Sequence, residues 1–237
     1  MRVSRILTLA VTGVFHKMWR GHNREYVFAD DSEKSNYLDA LFDTFKVNFK
    51  KLIQVHGYCL MGNHTHEVGR VLPTLKDGLK SAVAALGDWM RNAHSRFGFG
   101  YNRRHNRLGK VAYDRPKTVE IKNEYEVLRT MFYCDANPVR AGIVSHPSNY
   151  KHSSYMFYAF GIRNKYSKHL TPPEGYLAGG KTAAERRKKY RQLCDLYLRE
   201  QGLIDDRPDE VVEAPGAHSN FDEMLYALTL RGTPLHL

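Results

Sequence analysis

Residues 52–72 read LIQVHGYCLMGNHTHEVGRVL, and the way this stretch folds decides the architecture. Two short runs, 52–61 and 65–72, carry β-branched and apolar residues and meet at Gly62-Asn63-His64, so they read as an antiparallel hairpin. Alternate residues of a strand point to one side, so His64 and His66 can address one metal ion while Thr65 points away. A bare H-x-H arises often by chance, as two surface histidines in a turn. A metallo-β-lactamase pattern is excluded, because Val68 and Gly69 stand where Asp and His would be needed.

Outward from the hairpin, 5–19 reads as a strand and Arg20-Gly21-His22-Asn23 as a turn. Asp31 or Ser32 can cap a helix with Leu38, Leu41, Phe42, Phe45 and Phe49 on one face. After the hairpin, a helix is expected from about Thr74, with Leu75, Leu79, Val83, Leu86 and Met90 along one stripe. Val111–Tyr113 and Thr118–Ile121 read as short strands. A third helix runs from near Asn123 and is expected to stop by Asn137, since proline at 138 disfavours helical geometry before it. Helices on an antiparallel sheet, an α+β class, follow from this order. Gly- and Pro-bearing 161–180 reads as a linker between a domain at 1–160 and a helical extension at 181–237. In that extension Thr182 and Glu185 fit a capping box, Tyr190, Leu193, Cys194, Tyr197 and Leu198 share a face, and Ser219 and Gly232 bound a last helix.

The 237 residues carry a formal charge of +11, which favours polyanionic partners such as nucleic acid over acidic proteins. Segment 96–117, RFGFGYNRRHNRLGKVAYDRPK, interleaves cations with aromatic rings, as phosphate contact plus base stacking requires; 205–213 is acidic. Three cysteines, Cys59, Cys134 and Cys194, give neither a disulfide framework nor a zinc ribbon and suit a reducing cytoplasm. The N-terminal RVSRILTLAVTGVF imitates a signal peptide without a small-x-small cleavage site, and no segment has the apolar length of a membrane span.

The second chemical element is Tyr133-Cys134-Asp135-Ala136-Asn137-Pro138. Four-residue spacing puts Tyr133 and Asn137 on one helical face, where a phenol and an amide carbonyl could approach one point. Spacing by itself favours a plainer reading, a core tyrosine and a C-terminal cap before proline.

Taken together, GYCLMGNHTHEV, ANPVRAGIV (136–144) and Asn149-Tyr150-Lys151-His152-Ser153-Ser154-Tyr155 resemble the single-tyrosine HUH transposases, above all the REP-associated tyrosine transposases. RGHNRE (20–25) and GKVAYDRPK (109–117) sit where that family has similar patches, and the likeness spans about residues 10–160. The resemblance implies a ferredoxin-like HUH nuclease domain of α+β class, with Tyr133 as nucleophile and His64, His66 and Asn137 as ligands of a divalent ion, Mg²⁺ or Mn²⁺. It also implies cleavage and strand transfer on hairpin-bearing single-stranded DNA through a 5′-phosphotyrosine. One departure is Thr65, since the residue between the histidines is usually bulky and apolar.

A phenol with an ordinary pKa of ~10 needs help to attack a phosphodiester at neutral pH, and a divalent cation on two imidazoles and an amide oxygen would give it. Arg103, Arg104, Arg107, Lys110, Arg115 and Lys117 are candidates to hold the strand, with Tyr101 and Tyr113 as stacking surfaces. Such an enzyme would work in the cytoplasm at the nucleoid, away from membranes. A DNA-binding relative without cleavage and a metal hydrolase with a water nucleophile stay open beside it. Monomer and homodimer stay open too.

Overall fold

The computed structural model describes residues 4–112, 115–204 and 221–230, apart from the side chains at 46–48, 229 and 230. The contacts divide the chain into two compact units, 1–123 with 163–171, and 124–162 with 172–237. Tyr113, Ser219, Gly232 and the acidic run 205–213, all singled out from the sequence, lie outside the described residues.

The first unit is built on four strands, β1 (Val14–Arg20), β2 (Ile53–Leu60), β3 (His64–Val71) and β4 (Lys117–Glu120). Their order is β2-β3-β1-β4, and every neighbouring pair is antiparallel. Helix α2 (Asp31–Asn48) joins β1 to β2, and α3 (Lys80–Arg104) joins β3 to β4. This β-α-β-β-α-β chain with β1 and β3 at the centre is the ferredoxin-like arrangement. The hairpin forms where its pattern placed it, with Met61 donating its N–H to His64 O at 2.8 Å across the turn.

One sheet face is covered by α2 and α3. Trp19 of β1 stacks on His94 of α3 with ring centroids 4.0 Å apart, Tyr58 of β2 meets Phe42 of α2, and Trp89 donates to Leu41 O. The predicted stripe Leu38, Leu41, Phe42, Phe45 and Phe49 is buried. Its cap is Asp30, one residue ahead of the expected pair, accepting from the Glu33 N–H at 2.8 Å. At each buried apolar side chain, removal from water stabilises by about 1.5–3 kcal/mol.

Three local expectations change. Arg5–Thr8 forms a short helix, α1, so the first strand begins only at Val14, after Gly13 turns the chain at φ +68°. Thr74 belongs to a turn closed by Gly78 at φ +58°; helix α3 therefore starts at Lys80 and leaves Leu75 exposed. That helix continues to Arg104, so the first nine residues of the basic segment 96–117 are helical.

The second unit is helical: α4 (Glu124–Arg140), α5 (Tyr155–Phe160), α6 (Glu174–Leu177), α7 (Ala183–Glu200) and α8 (Phe221–Leu230). Helix α4 does not stop before proline; it runs through Pro138 into its last turn. Gly142 ends it instead at φ +65°, with its own N–H on Val139 O and the Ile143 N–H on Pro138 O, the paired bonds of a left-handed C-terminal cap. Proline there forfeits one bond next to a helix end, a smaller loss than in the interior. Helix α7 opens with the expected Thr182/Glu185 box, and its predicted face is buried. Segment 161–180 holds a single turn at Ser167–His169 and α6, and its halves fall in different units. Among the described residues no helix is long and apolar enough to cross a membrane.

Candidate metal and nucleic-acid site

Strand β3 puts His64 and His66 on the sheet face opposite the helices. Thr65 and Glu67 alternate with them onto the covered face, where both are fully buried. Met18 of β1 stands opposite His66, and His16 lies diagonally from it on the same face. There His16 Nε2 comes within 2.8 Å of His66 Nδ1, and the two rings stack with centroids 5.1 Å apart. The His64 and His66 rings meet edge to face at 4.9 Å.

His64 Nδ1 lies 2.6 Å from the Asn63 side-chain oxygen, which can only accept. The ring proton therefore sits on Nδ1, and Nε2 keeps its lone pair for a cation. Burial pushes all three imidazoles down: His16 to about 4, with Lys117 and Lys17 adding to the effect; His64 to about 4, helped by Arg20; and His66 to about 2, helped first by His16. They are neutral at pH 7, the form in which imidazole binds a metal. Neutral nitrogen donors with one fixed tautomer fit a divalent transition ion.

Behind this face, Lys17 Nζ is 2.6 Å from Glu67 Oε2, with both side chains fully buried. Tyr37 donates to Glu67 Oε1 at 2.8 Å and accepts from Lys17 at 3.0 Å. Thr65 donates to Glu67 Oε2 at 3.3 Å, and His94 Nε2 lies 3.3 Å from Lys17 Nζ. Thr65 thus supplies a hydroxyl to a buried carboxylate, which a bulky apolar side chain could not do.

An open cleft of ≈ 550 Å³ is lined by His64, Arg20, Arg24, Arg115, Lys117, Met18, Trp19, Gly21 and Asn23, with no carboxylate among the described residues. Two expected strand-binding residues, Arg115 and Lys117, thus share it with an expected metal ligand. Arg103 and Lys110 are exposed. Arg104 makes a two-pronged pair with Glu33 at 2.9 and 2.6 Å, and Arg107 pairs with Glu25 at 2.9 Å. Tyr101 is buried, its ring against Phe97 and His105, which leaves little face for a base.

Tyr133 and Asn137 belong to the helical unit, one turn apart on α4. Tyr133 is 38% exposed, unlike the core tyrosine that spacing favours, while Cys134 to Val139 are buried. The Arg140 guanidinium lies 5.0 Å from the Tyr133 ring centroid and donates to Asn137 Oδ1 at 3.4 Å. Asn137 Nδ2 is buried without a partner among the described residues.

Sequence reasoning missed three residues of these surroundings: His16, Arg20 and Arg140. His16 could have been found by pairing β1 with β3, and Arg140 lies one turn beyond Asn137 in the quoted ANPVRAGIV.

No family model matches the chain, and no curated protein matches its sequence. Among solved structures, the chain is similar to one described as a REP-associated tyrosine transposase bound to a REP hairpin. The likeness covers 65% of this chain and 84% of that one, at 14% identity and a TM-score of 0.46.

Proposed function

We propose that the protein is a metal-dependent tyrosine HUH transposase that cleaves hairpin-bearing single-stranded DNA and rejoins it through a 5′-phosphotyrosine. The observation that carries this reading is the pair His64 and His66, neutral and co-facial on a central strand beside a cationic cleft. The exposed phenol of Tyr133, in a segment resembling the family's tyrosine helix, supports it.

In this reading Arg115, Lys117, Arg20 and Arg24 bind the strand through phosphates, and Arg103 and Lys110 extend that contact. A divalent ion, Mg²⁺ or Mn²⁺, would be held by His64 and His66 with Asn137, and when bound would polarise the scissile phosphate. Tyr133 loses its proton and its oxygen bonds to phosphorus as the P–O3′ bond breaks; the leaving 3′ oxygen takes up a proton. Arg140 places positive charge beside the phenol. Joining reverses the step with a new 3′-OH, so the bond energy is kept in the protein–DNA link and no nucleotide triphosphate is consumed.

Incubation with hairpin-bearing single-stranded DNA and Mn²⁺, followed by denaturing electrophoresis, tests the reading. A covalent adduct is expected from the wild type and none from Tyr133→Phe or His64→Ala. Cleavage that survives Tyr133→Phe would point to a water nucleophile, and binding without cleavage to a DNA-binding module. Arg115→Ala with Lys117→Ala should weaken binding and flatten its salt dependence by roughly 0.7 per lost phosphate contact.

A further inference from the structure

We infer that the strand held beside His64 continues round the outer strand β4 into a second cationic cleft, where Arg5 and Lys80 bind its phosphates. This cleft, of ≈ 1060 Å³, lies between α1, β4 and the first turns of α3. It shares Arg115 and Lys117 with the first cleft and adds Arg5, Lys80, Ile6 and Ala84, with no carboxylate among the described residues that line it.

Register shows how one groove serves both sides of the sheet. Strand β4 ends the sheet beside β1. Lys117 is opposite Met18, on the face of His64 and His66, whereas Thr118 is opposite Lys17, on the face under the helices. Arg5 reaches that second side. Its Nε donates to Thr118 Oγ1 at 3.3 Å, and its Nη1 lies 3.3 Å from where a Cβ at Gly87 of α3 would stand. Burial lowers the Arg5 pKa and the charge of Arg115 lowers it further, with no carboxylate of the described residues acting the other way. A phosphate between the two guanidinium groups relieves that repulsion.

The chemistry of the lining selects the occupant. Lys80, Arg115 and Lys117 are exposed, and so are Ile6 and Ala84, so charge for phosphates lies beside apolar surface for sugars and bases. Two cationic clefts joined through shared residues suit a polymer of regular charge, single-stranded DNA, over a short acidic peptide. This deepens the proposed function by assigning a further length of the strand, and it rests on that reading for the DNA in the first cleft.

Fluorescence anisotropy of the full chain with a DNA hairpin, bare or carrying about eight unpaired nucleotides on its 5′ or 3′ side, tests the inference. One of the two extensions should tighten wild-type binding at least about fivefold and steepen its salt dependence by roughly 0.7 per added phosphate contact. Arg5→Gln and Lys80→Gln should each reduce that gain and leave the bare hairpin bound as before. Lys80 is exposed, so its variant keeps the test decisive if Arg5→Gln unfolds α1, which circular dichroism checks. Extensions that add nothing in the wild type would overturn the inference, as would variants that weaken bare and extended hairpins alike. So would a polyglutamate peptide that displaces the extension at equal charge concentration. The Tyr133 adduct assay is separate: a gain lost in Lys80→Gln with no adduct in the wild type refutes strand transfer and leaves the second cleft standing.

Discussion

Each unit buries ionisable groups, and the two do so in opposite ways. In the sheet unit, Lys17 and Glu67 are buried as a pair, with Tyr37 and Thr65 bonded to the carboxylate. In the helical unit, Asp135 is buried with no cation bonded to it among the described residues, accepting from Tyr190 at 2.7 Å, and burial pushes its carboxyl up to about 7. In the pair, Glu67 opposes the burial that holds the Lys17 ammonium below its ordinary range, whereas the lone carboxyl is most stable when protonated. The sheet unit also carries three neutral imidazoles, His66 buried and His16 and His64 half-buried, whose protonation that burial opposes. Acid should therefore strain the sheet unit, and mild alkali the helical one.

The largest effect should come from breaking the pair. Glu67→Ala strands the Lys17 ammonium and should cost about 3–5 kcal/mol in chemical denaturation, while Lys17→Met with Glu67→Leu should recover most of it. A double variant as unstable as the single one would contradict the account.

A smaller effect is the alkaline loss. Asp135 has a folded pKa above its unfolded value, so its stabilisation is complete below about 4 and is lost as pH rises through about 7. From pH 5 to 8 the helical unit should lose roughly 2 kcal/mol, and Asp135→Asn should remove that slope in far-ultraviolet dichroism.

The three imidazoles behave oppositely. With folded values below 6.5, their contribution is complete above that pH and is lost as pH falls, through about 4 for His16 and His64 and lower still for His66. Both tryptophans, Trp19 and Trp89, lie in the sheet unit, so their fluorescence in chelator-treated protein reports the acid loss of that unit, to which His94, stacked on Trp19 and likewise pushed well down by burial, also contributes. An identical pH profile by fluorescence and dichroism would remove the contrast. Thr65→Val should be mildest, at about 1 kcal/mol, since the carboxylate keeps two other partners.

Much of this was legible in the sequence because it rests on local periodicity. The β3 dyad, the buried stripe of α2 and the capping box of α7 all follow from spacing within one element. What escaped depends on partners far along the chain. His16 joins the histidines only through strand pairing, 50 positions away, and Arg104 is held by Glu33, 71 positions away. Residues 97 and 101 looked like part of an aromatic-basic surface, yet four-residue spacing turns both rings into the core of α3. Pro138 points to a stop at Asn137, yet α4 ends at Gly142, because a left-handed glycine followed by isoleucine makes the two capping bonds that close the helix.

The buried pair and the histidines occupy adjacent positions on the same two strands. A slip of one residue between β1 and β3 would reverse one strand's faces, driving its imidazole side under the helices. A slip of two would set Lys17 against Thr65 or Gly69, with no counter-charge in reach of its own rung. The strands can therefore dock at low cost in only one alignment, so the charges hidden on one side act as a proofreader for the geometry displayed on the other.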